Sequence, residues 1–231
     1  MIQHPASFIA KRTKDKKVRT ISMATNLSHS EFTQLASEQQ IEKTVQALQA
    51  HGLRVVVCET GEQARRSVLD LIPEGATVYD GPSRTLEVIG ICEQIEHATH
   101  FQSVRVQTST LDYATRRNEI RKMVVAPDVL LGSVHAVTEA GEVLIASASG
   151  GQLAAAACGA NLVIWVVGTQ KLVGTLSDGL RRIHDYCLPL ESERTQQAYG
   201  KPSAINKVLT INAEHEPGRI TMILVKQQLG F

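Results

Sequence analysis

The residues best suited to chemistry lie in two short loops, each of which follows a buried strand and opens a helix. The second loop has few side chains to keep a ligand from the backbone, and N–H groups that open a helix favour an anion. Lys171 follows another strand, at the edge of a sheet where ligands bind. We therefore predict a binding site for a small anion. The predicted ligand-binding residues are Gly81, Ser83, Arg84, Thr85, Ser147, Ser149, Gly150, Gly151, Gln152 and Lys171.

Each part of this predicted site also has an ordinary structural explanation. Ser83 or Thr85 can cap the following helix, which would leave Arg84 as an exposed cation. The small residues of the second loop also favour close packing of a helix on a strand. Lys171 is either the cation that neutralises the anion or a solvated side chain. The sequence is compatible with both interpretations.

His135 and Glu139 are the candidate catalytic residues. Their spacing places both on one face of an extended strand if that strand is unbroken. An imidazole titrates near neutral pH, so His135 is a candidate acid–base group that Glu139 would orient. A surface histidine and a glutamate in a turn fit the same pattern.

The amino-acid composition, the cysteine spacing and the absence of targeting segments argue against several classes of function. The 24 basic and 23 acidic residues nearly cancel and aromatic residues make up only 4%, so we predict no nucleic-acid partner. The four cysteines are scattered without C-x-x-C spacing, which predicts no metal and no other cofactor. Without a signal peptide or a long apolar run, the chain is predicted to be cytoplasmic and to have no membrane contact.

Strand and helix patterns alternate along the chain, which predicts a largely parallel sheet covered on both faces in a three-layer α/β/α fold. The stretch 1–28 lacks apolar periodicity and is predicted to be a flexible N-terminal arm, followed by a single domain over 29–231. A tight turn is predicted at 139–141. Leu188-Pro189-Leu190 is predicted to break the late helix, and 219–226 to form an edge or half-buried strand.

Four stretches together resemble the LUD domain, the lactate-utilisation family. They are DGPSRTLEVIG, GSVHAVTEAGEVLIASASGGQLAAAACGANLVIWVVGTQKLV, PLESERTQQAYG and PGRITMILVKQQLGF, in the family's order over about residues 38–231. The resemblance implies a fold similar to ribose-5-phosphate isomerases, glucosamine-6-phosphate deaminases and CoA-transferases. In that group two loops grip a phosphate or an acyl-CoA, and they correspond here to 81–85 and 147–152.

The resemblance also implies a role in the oxidation of lactate to pyruvate, in which family members act beside iron–sulfur proteins. Since this chain has no cluster ligands, we expect a non-redox component that binds a small anionic metabolite. One alternative is an independent enzyme acting on a sugar phosphate or acyl-CoA through His135 and Glu139. Another is a regulatory or assembly subunit that docks an iron–sulfur partner, and a homo-oligomer is compatible with each. Ser133, Val134 and His135 stand where the isomerases have paired carboxylates, which argues against their reaction.

Overall fold

A computed structural model describes residues 31–231, so the arm predicted at 1–28 lies outside the described residues. The strands are β1 (Arg54–Cys58), β2 (Thr77–Asp80), β3 (Gln102–Ser103), β4 (Val129–Gly132), β5 (Ala136–Thr138), β6 (Val143–Ser147), β7 (Leu162–Gly168), β8 (Leu172–Val173), β9 (Lys207–Ile211) and β10 (Ile220–Val225). The helices are α1 (Glu38–Ala50), α2 (Gly61–Leu71), α3 (Arg84–Val88), α4 (Ile91–His97), α5 (Val104–Ser109), α6 (Tyr113–Val125), α7 (Gly151–Ala154), α8 (Leu176–Arg181) and α9 (Leu188–Tyr199).

A six-stranded sheet in the order β1-β10-β7-β4-β2-β3 forms the centre of the fold, and each neighbouring pair is parallel. In β7, Val163, Trp165 and Val167 pack into one apolar cluster, while Ile164 and Val166 pack into another on the opposite face. Such a strand is apolar along its whole length because helices cover both faces. The predicted three-layer α/β/α fold with a largely parallel sheet is confirmed.

A smaller four-stranded sheet, β8-β5-β6-β9, lies beside the first. Its β5–β6 hairpin closes where the turn was predicted, with the Gly141 amide donating to the Thr138 carbonyl at 2.9 Å. Gly141 has φ +88°, and a Cβ there would lie 2.9 Å from the Ala47 carbonyl carbon in α1. The turn therefore needs glycine both for its conformation and for the approach of the helix.

The prediction for 219–226 is wrong, because β10 lies inside the sheet between β1 and β7 with every residue buried. Polar Thr221 gave the strand an alternating pattern typical of a half-exposed strand. Thr221 is nevertheless buried.

The predicted helix break at 188–190 is also wrong. Helical backbone runs from α8 through a wider turn, Arg182–Cys187, directly into α9. Hydrogen bonds in such a turn reach back five residues rather than four. The turn ends just before Pro189, a residue that lacks an N–H and crowds the preceding turn of a regular helix.

Candidate functional site

A cleft of about 390 Å³ opens at the carboxyl ends of β2 and β4, and residues of α9 and of the turn before it line another of its walls. Most of the sequence-predicted site residues line it: Gly81, Ser83, Arg84, Thr85, His135, Ser147, Ser149, Gln152 and Lys171. The structure thus brings the two loops and Lys171 together. Gly150, Gly151 and Glu139 do not line the cleft.

In the first loop, Ser83 and Arg84 have the structural partners that the alternative interpretation predicted. Ser83 Oγ accepts a hydrogen bond from the Leu86 amide at 3.4 Å and caps α3. Arg84 Nη1 lies 3.0 Å from the Glu87 carboxylate. Thr85 is different, because its side chain is buried and its Oγ1 accepts a hydrogen bond from Lys171.

In the second loop, the glycines allow close packing while the polar residues face the cleft. Gly150 has φ +93°, and a Cβ there would lie 2.8 Å from Cδ of Lys207. A Cβ on Gly151 would lie 2.9 Å from Val124 of α6. Ser147 Oγ accepts from the Gly150 amide at 3.0 Å, and Gln152 Nε2 donates to the Ala146 carbonyl at 3.3 Å.

Lys171 lies at the floor of the cleft and is only 1% exposed. Its Nζ is 2.9 Å from Thr85 Oγ1, 3.1 Å from Ser133 Oγ and 3.2 Å from the Val134 carbonyl oxygen. Burial, together with the nearby Arg182 guanidinium, lowers the pKa of Lys171 to about 7. Lys171 therefore changes protonation state in the physiological range.

Arg182 is a second buried cation, 0% exposed, which sequence reasoning missed. Its Nη1 donates to the His135 carbonyl at 2.7 Å and to Cys187 Sγ at 3.0 Å, and the guanidinium lies 5.1 Å from the centre of the Tyr186 ring. One feature of the sequence indicated that Arg182 is buried. Its apolar neighbours Ile183 and Tyr186, which are also buried, mark this helical segment as one that packs against the core.

Neither buried cation has a carboxylate partner among residues 31–231. Lys171 and Arg182 contact hydroxyl, thiol and carbonyl groups, and neither forms one of the ion pairs in this part of the chain. A buried cation without a counter-ion is costly, and residues 31–231 supply no carboxylate that offsets the charge of Arg182 or of protonated Lys171 beside the cleft.

His135 lines the cleft as a hydrogen-bond donor. Its Nδ1 accepts from the Ala146 amide at 3.1 Å, which leaves the ring hydrogen of the neutral form on Nε2. Burial, Lys171 and Arg182 lower the pKa of His135 to about 3, so the ring stays neutral at physiological pH. This geometry favours donation to a ligand over the uptake of a proton.

Glu139 is not brought to the cleft, contrary to the expectation that it shares a pocket with His135. Its carboxylate accepts from Lys43 at 2.7 Å and from Gln40 at 3.0 Å, both on α1. Four residues of extended strand span roughly 13 Å, so two side chains on the same strand face can still lie too far apart to hold one ligand.

Apolar residues from five segments of the chain form the remaining floor of the cleft, and sequence reasoning did not identify them. They are Tyr79, Leu130, Ile145, Ala156 and Trp165. Glu191 and Arg194 stand at another wall, joined by two hydrogen bonds of 2.8 and 2.7 Å. Both residues lie on α9 at i,i+3 spacing, where side chains of opposite charge are neighbours.

Residues 31–231 contain no group of three or more His, Cys, Asp or Glu side chains placed to hold a metal ion. No helix within the same range has the length and apolarity needed to cross a membrane.

Comparison with known proteins identifies one family from the sequence and one similar fold from the structure. The sequence profile of the LUD domain matches residues 41–225. A solved structure, a DUF162 family protein from Deinococcus radiodurans, superimposes with a TM-score of 0.50 at 11% identity, covering 83% of this chain and 99% of its own. No curated protein matches. The structural neighbour supports the fold alone.

Proposed function

Because the chain belongs to the LUD domain family, we propose that it binds a small anionic metabolite in the cleft as a non-redox component of lactate or related organic-acid metabolism. The observation that carries this proposal is the presence of two buried cations, Lys171 and Arg182, with no carboxylate among residues 31–231 to neutralise them. In such a system electrons would pass through separate iron–sulfur subunits.

An anion in the cleft would supply the missing charge at Lys171, which lies at the cleft floor. The Ser133 hydroxyl, which is 3.1 Å from Lys171 Nζ, and the Nε2–H of His135 line the same space and can donate to an anionic oxygen. A carboxylate or phosphate would therefore meet both a charge and neutral donors at the buried floor of the cleft.

Proton uptake tests this proposal directly. Lys171 is about half protonated near pH 7 without ligand, and a bound anion favours its protonated form. Titration calorimetry with lactate, pyruvate and inorganic phosphate, repeated in two buffers of different ionisation enthalpy, should show uptake approaching one proton per anion near pH 8. Uptake should approach zero near pH 6, and affinity should fall as the pH rises above about 7.

Two lysine variants provide the matched comparison. Lys171→Met should weaken anion binding by at least about tenfold, because it removes the charge and keeps a side chain of similar length. Lys43→Met removes an exposed lysine outside the cleft and should leave binding unchanged. If the wild-type protein binds none of these anions at millimolar concentration, or if both variants bind alike, the proposal is wrong.

A further inference from the structure

Ser133 follows β4, directly beside the lysine that follows β7. Its hydroxyl oxygen lies 3.1 Å from Lys171 Nζ and lines the cleft. The same Nζ has two other neighbours within hydrogen-bond distance, Thr85 Oγ1 and the Val134 carbonyl oxygen. These contacts fix the position of the amine within hydrogen-bond distance of the serine hydroxyl.

The three neighbours of the amine differ in what they can offer to it. A carbonyl oxygen only accepts, so Val134 takes a hydrogen from Lys171. Thr85 Oγ1 already donates its own hydrogen to the Leu229 carbonyl at 3.1 Å, and so it also accepts from Lys171. Among residues 31–231, Ser133 Oγ has no hydrogen-bond partner other than Lys171 Nζ, so its hydrogen is uncommitted. When Lys171 is neutral, its lone pair can therefore accept from Ser133, the one of these three neighbours that is able to donate.

We propose that Ser133 and Lys171 form a nucleophile–base pair that transfers the acyl group of an ester or thioester bound in the cleft. This activity goes beyond anion binding and uses the neutral form of Lys171, whereas anion binding uses the protonated form. An amine held within hydrogen-bond distance of a hydroxyl and fixed by further partners meets the geometric requirement for such a pair.

The reaction balances without any further reagent. Ser133 Oγ bonds to the acyl carbonyl carbon as its proton moves to Lys171 Nζ. The bond to the leaving alcohol or thiol then breaks, and Lys171 returns the proton to that group. Water repeats these steps on the acyl-serine, which releases a carboxylic acid and restores Ser133. The Nε2–H of His135 lines the same cleft and can donate to the oxygen that becomes negative.

The electrostatic surroundings keep a substantial part of Lys171 in the form that accepts a proton. The charged or titratable groups around it are Arg182, Cys187 and His135, and burial with the Arg182 charge places the Lys171 pKa at about 7. A base works best when its pKa lies near the working pH. An anion in the cleft would hold Lys171 protonated and should inhibit acyl transfer.

The size and lining of the cleft indicate the kind of acyl group. At about 30 Å³ per water-sized group, the 390 Å³ cleft holds roughly 13 such groups, more than lactate fills. The floor formed by Tyr79, Leu130, Ile145, Ala156 and Trp165 is mainly apolar. It suits an acyl chain or a ring.

The test is covalent labelling of the full chain. Incubation with a fluorophosphonate or with p-nitrophenyl acetate, followed by mass spectrometry of the intact protein and its peptides, should place one adduct on Ser133. The labelling rate should rise between about pH 6 and pH 8 with a midpoint near 7. Ser133→Ala should abolish the adduct, and Lys171→Met should slow labelling about 100-fold. Ser109→Ala, on exposed α5, should label like wild type.

Phosphate should slow labelling, and more strongly at pH 6 than at pH 8. No adduct on the wild-type protein, an adduct that persists in Ser133→Ala, or an unchanged rate in Lys171→Met would overturn the inference. Urea unfolding of Ser133→Ala, compared with that of wild type, checks that this variant folds. Calorimetry with phosphate on the wild-type protein separates the two proposals. Anion binding without labelling leaves the proposed function standing and removes only the acyl-transfer pair.

Discussion

The two ends of the central sheet treat buried charge in opposite ways. At the amino end, Arg219 pairs with Glu214 at 2.6 Å and donates to the carbonyl oxygens of Ala156 and Ala160 at 2.8 and 3.1 Å. At the carboxyl end, Lys171 and Arg182 are buried without any carboxylate partner among the described residues. Within residues 31–231, the nearly buried cation at the amino end thus has a carboxylate partner, whereas the two buried cations at the carboxyl end have none.

Asp128 and Asp80 show the same difference for acids. Asp128, before β4, accepts from the Thr77 amide and hydroxyl and from Asn161, and these hydrogen bonds lower its pKa. Asp80, the last residue of β2, is 0% exposed; its Oδ2 lies 3.4 Å from Arg105 Nη1, but its Oδ1 has no hydrogen-bond partner among residues 31–231. Burial raises the pKa of Asp80 to about 6 although the Arg105 charge acts in the opposite direction. Incomplete pairing at the end where ligands bind is therefore a property of more than one residue.

The largest effect should come from the amino end. Arg219→Met should lower the free energy of unfolding by about 3 kcal/mol, because it leaves the nearly buried Glu214 carboxylate without its partner. Urea unfolding measures the loss, and phosphate binding by the folded variant should be unchanged. Adding Glu214→Gln should recover part of the stability. A loss as small as that of a surface ion pair, or a loss of binding, would break the comparison.

A change at the carboxyl end should act in the opposite direction. Lys171→Met should raise the free energy of unfolding of the ligand-free protein by about 2 kcal/mol near pH 6, because an unpaired buried charge is replaced by an apolar side chain. The pKa of Lys171 is about 7 in the folded state and near 10.5 unfolded, so the unfolded chain binds the extra proton between these values. Wild-type stability therefore rises with pH over that window.

Parallel unfolding measurements on wild type and Lys171→Met at about pH 6 and pH 9 isolate this contribution. The gap between the two proteins should narrow at the higher pH. A variant less stable than wild type at both pH values would mean that Lys171 serves the fold rather than a ligand.

The sequence predicted those parts of the site that depend on local structure. Small residues before a helix, a capping serine and a lysine after a strand were the signals for the two loops and Lys171, and the structure places most of these residues around one cleft. The neighbourhood of Ser133 and Lys171 depends instead on β4 and β7 pairing side by side, with Gly132 opposite Trp165. Strand order is set by the packing of the whole sheet, and no local pattern encodes it.

The sequence-based predictions that were wrong or missing also depend on contacts that form only in the folded chain. The spacing of His135 and Glu139 predicts one face of an unbroken strand, but β5 contains only Ala136–Thr138. Glu139 is bound instead by Lys43 on α1 at 2.7 Å. Arg182 was missed because its partners, the His135 carbonyl and Cys187 Sγ, meet it only in the folded chain. Thr221 misled the placement of β10 because a buried hydroxyl and an exposed one look alike in sequence.

The smallest effect on stability is expected at His135, and it appears at acidic pH. The pKa of His135 is about 3 in the folded protein and near 6.5 unfolded, so the unfolded chain binds the extra proton between these values. Wild type should therefore lose stability as the pH falls through this window. His135→Gln keeps an acceptor for the Ala146 amide and should differ from wild type by less than about 1 kcal/mol near pH 7.

Near pH 4 the glutamine variant should unfold at a higher urea concentration than wild type, because glutamine does not titrate. His184 is exposed and outside this charge cluster, so His184→Gln is the matched control and should keep the wild-type acid dependence. Equal acid sensitivity of His135→Gln and wild type would show that His135 readily takes up a proton. In that case the charges of Lys171 and Arg182 would not lower the pKa of His135. The contrast between the two ends of the sheet would then lose its electrostatic basis.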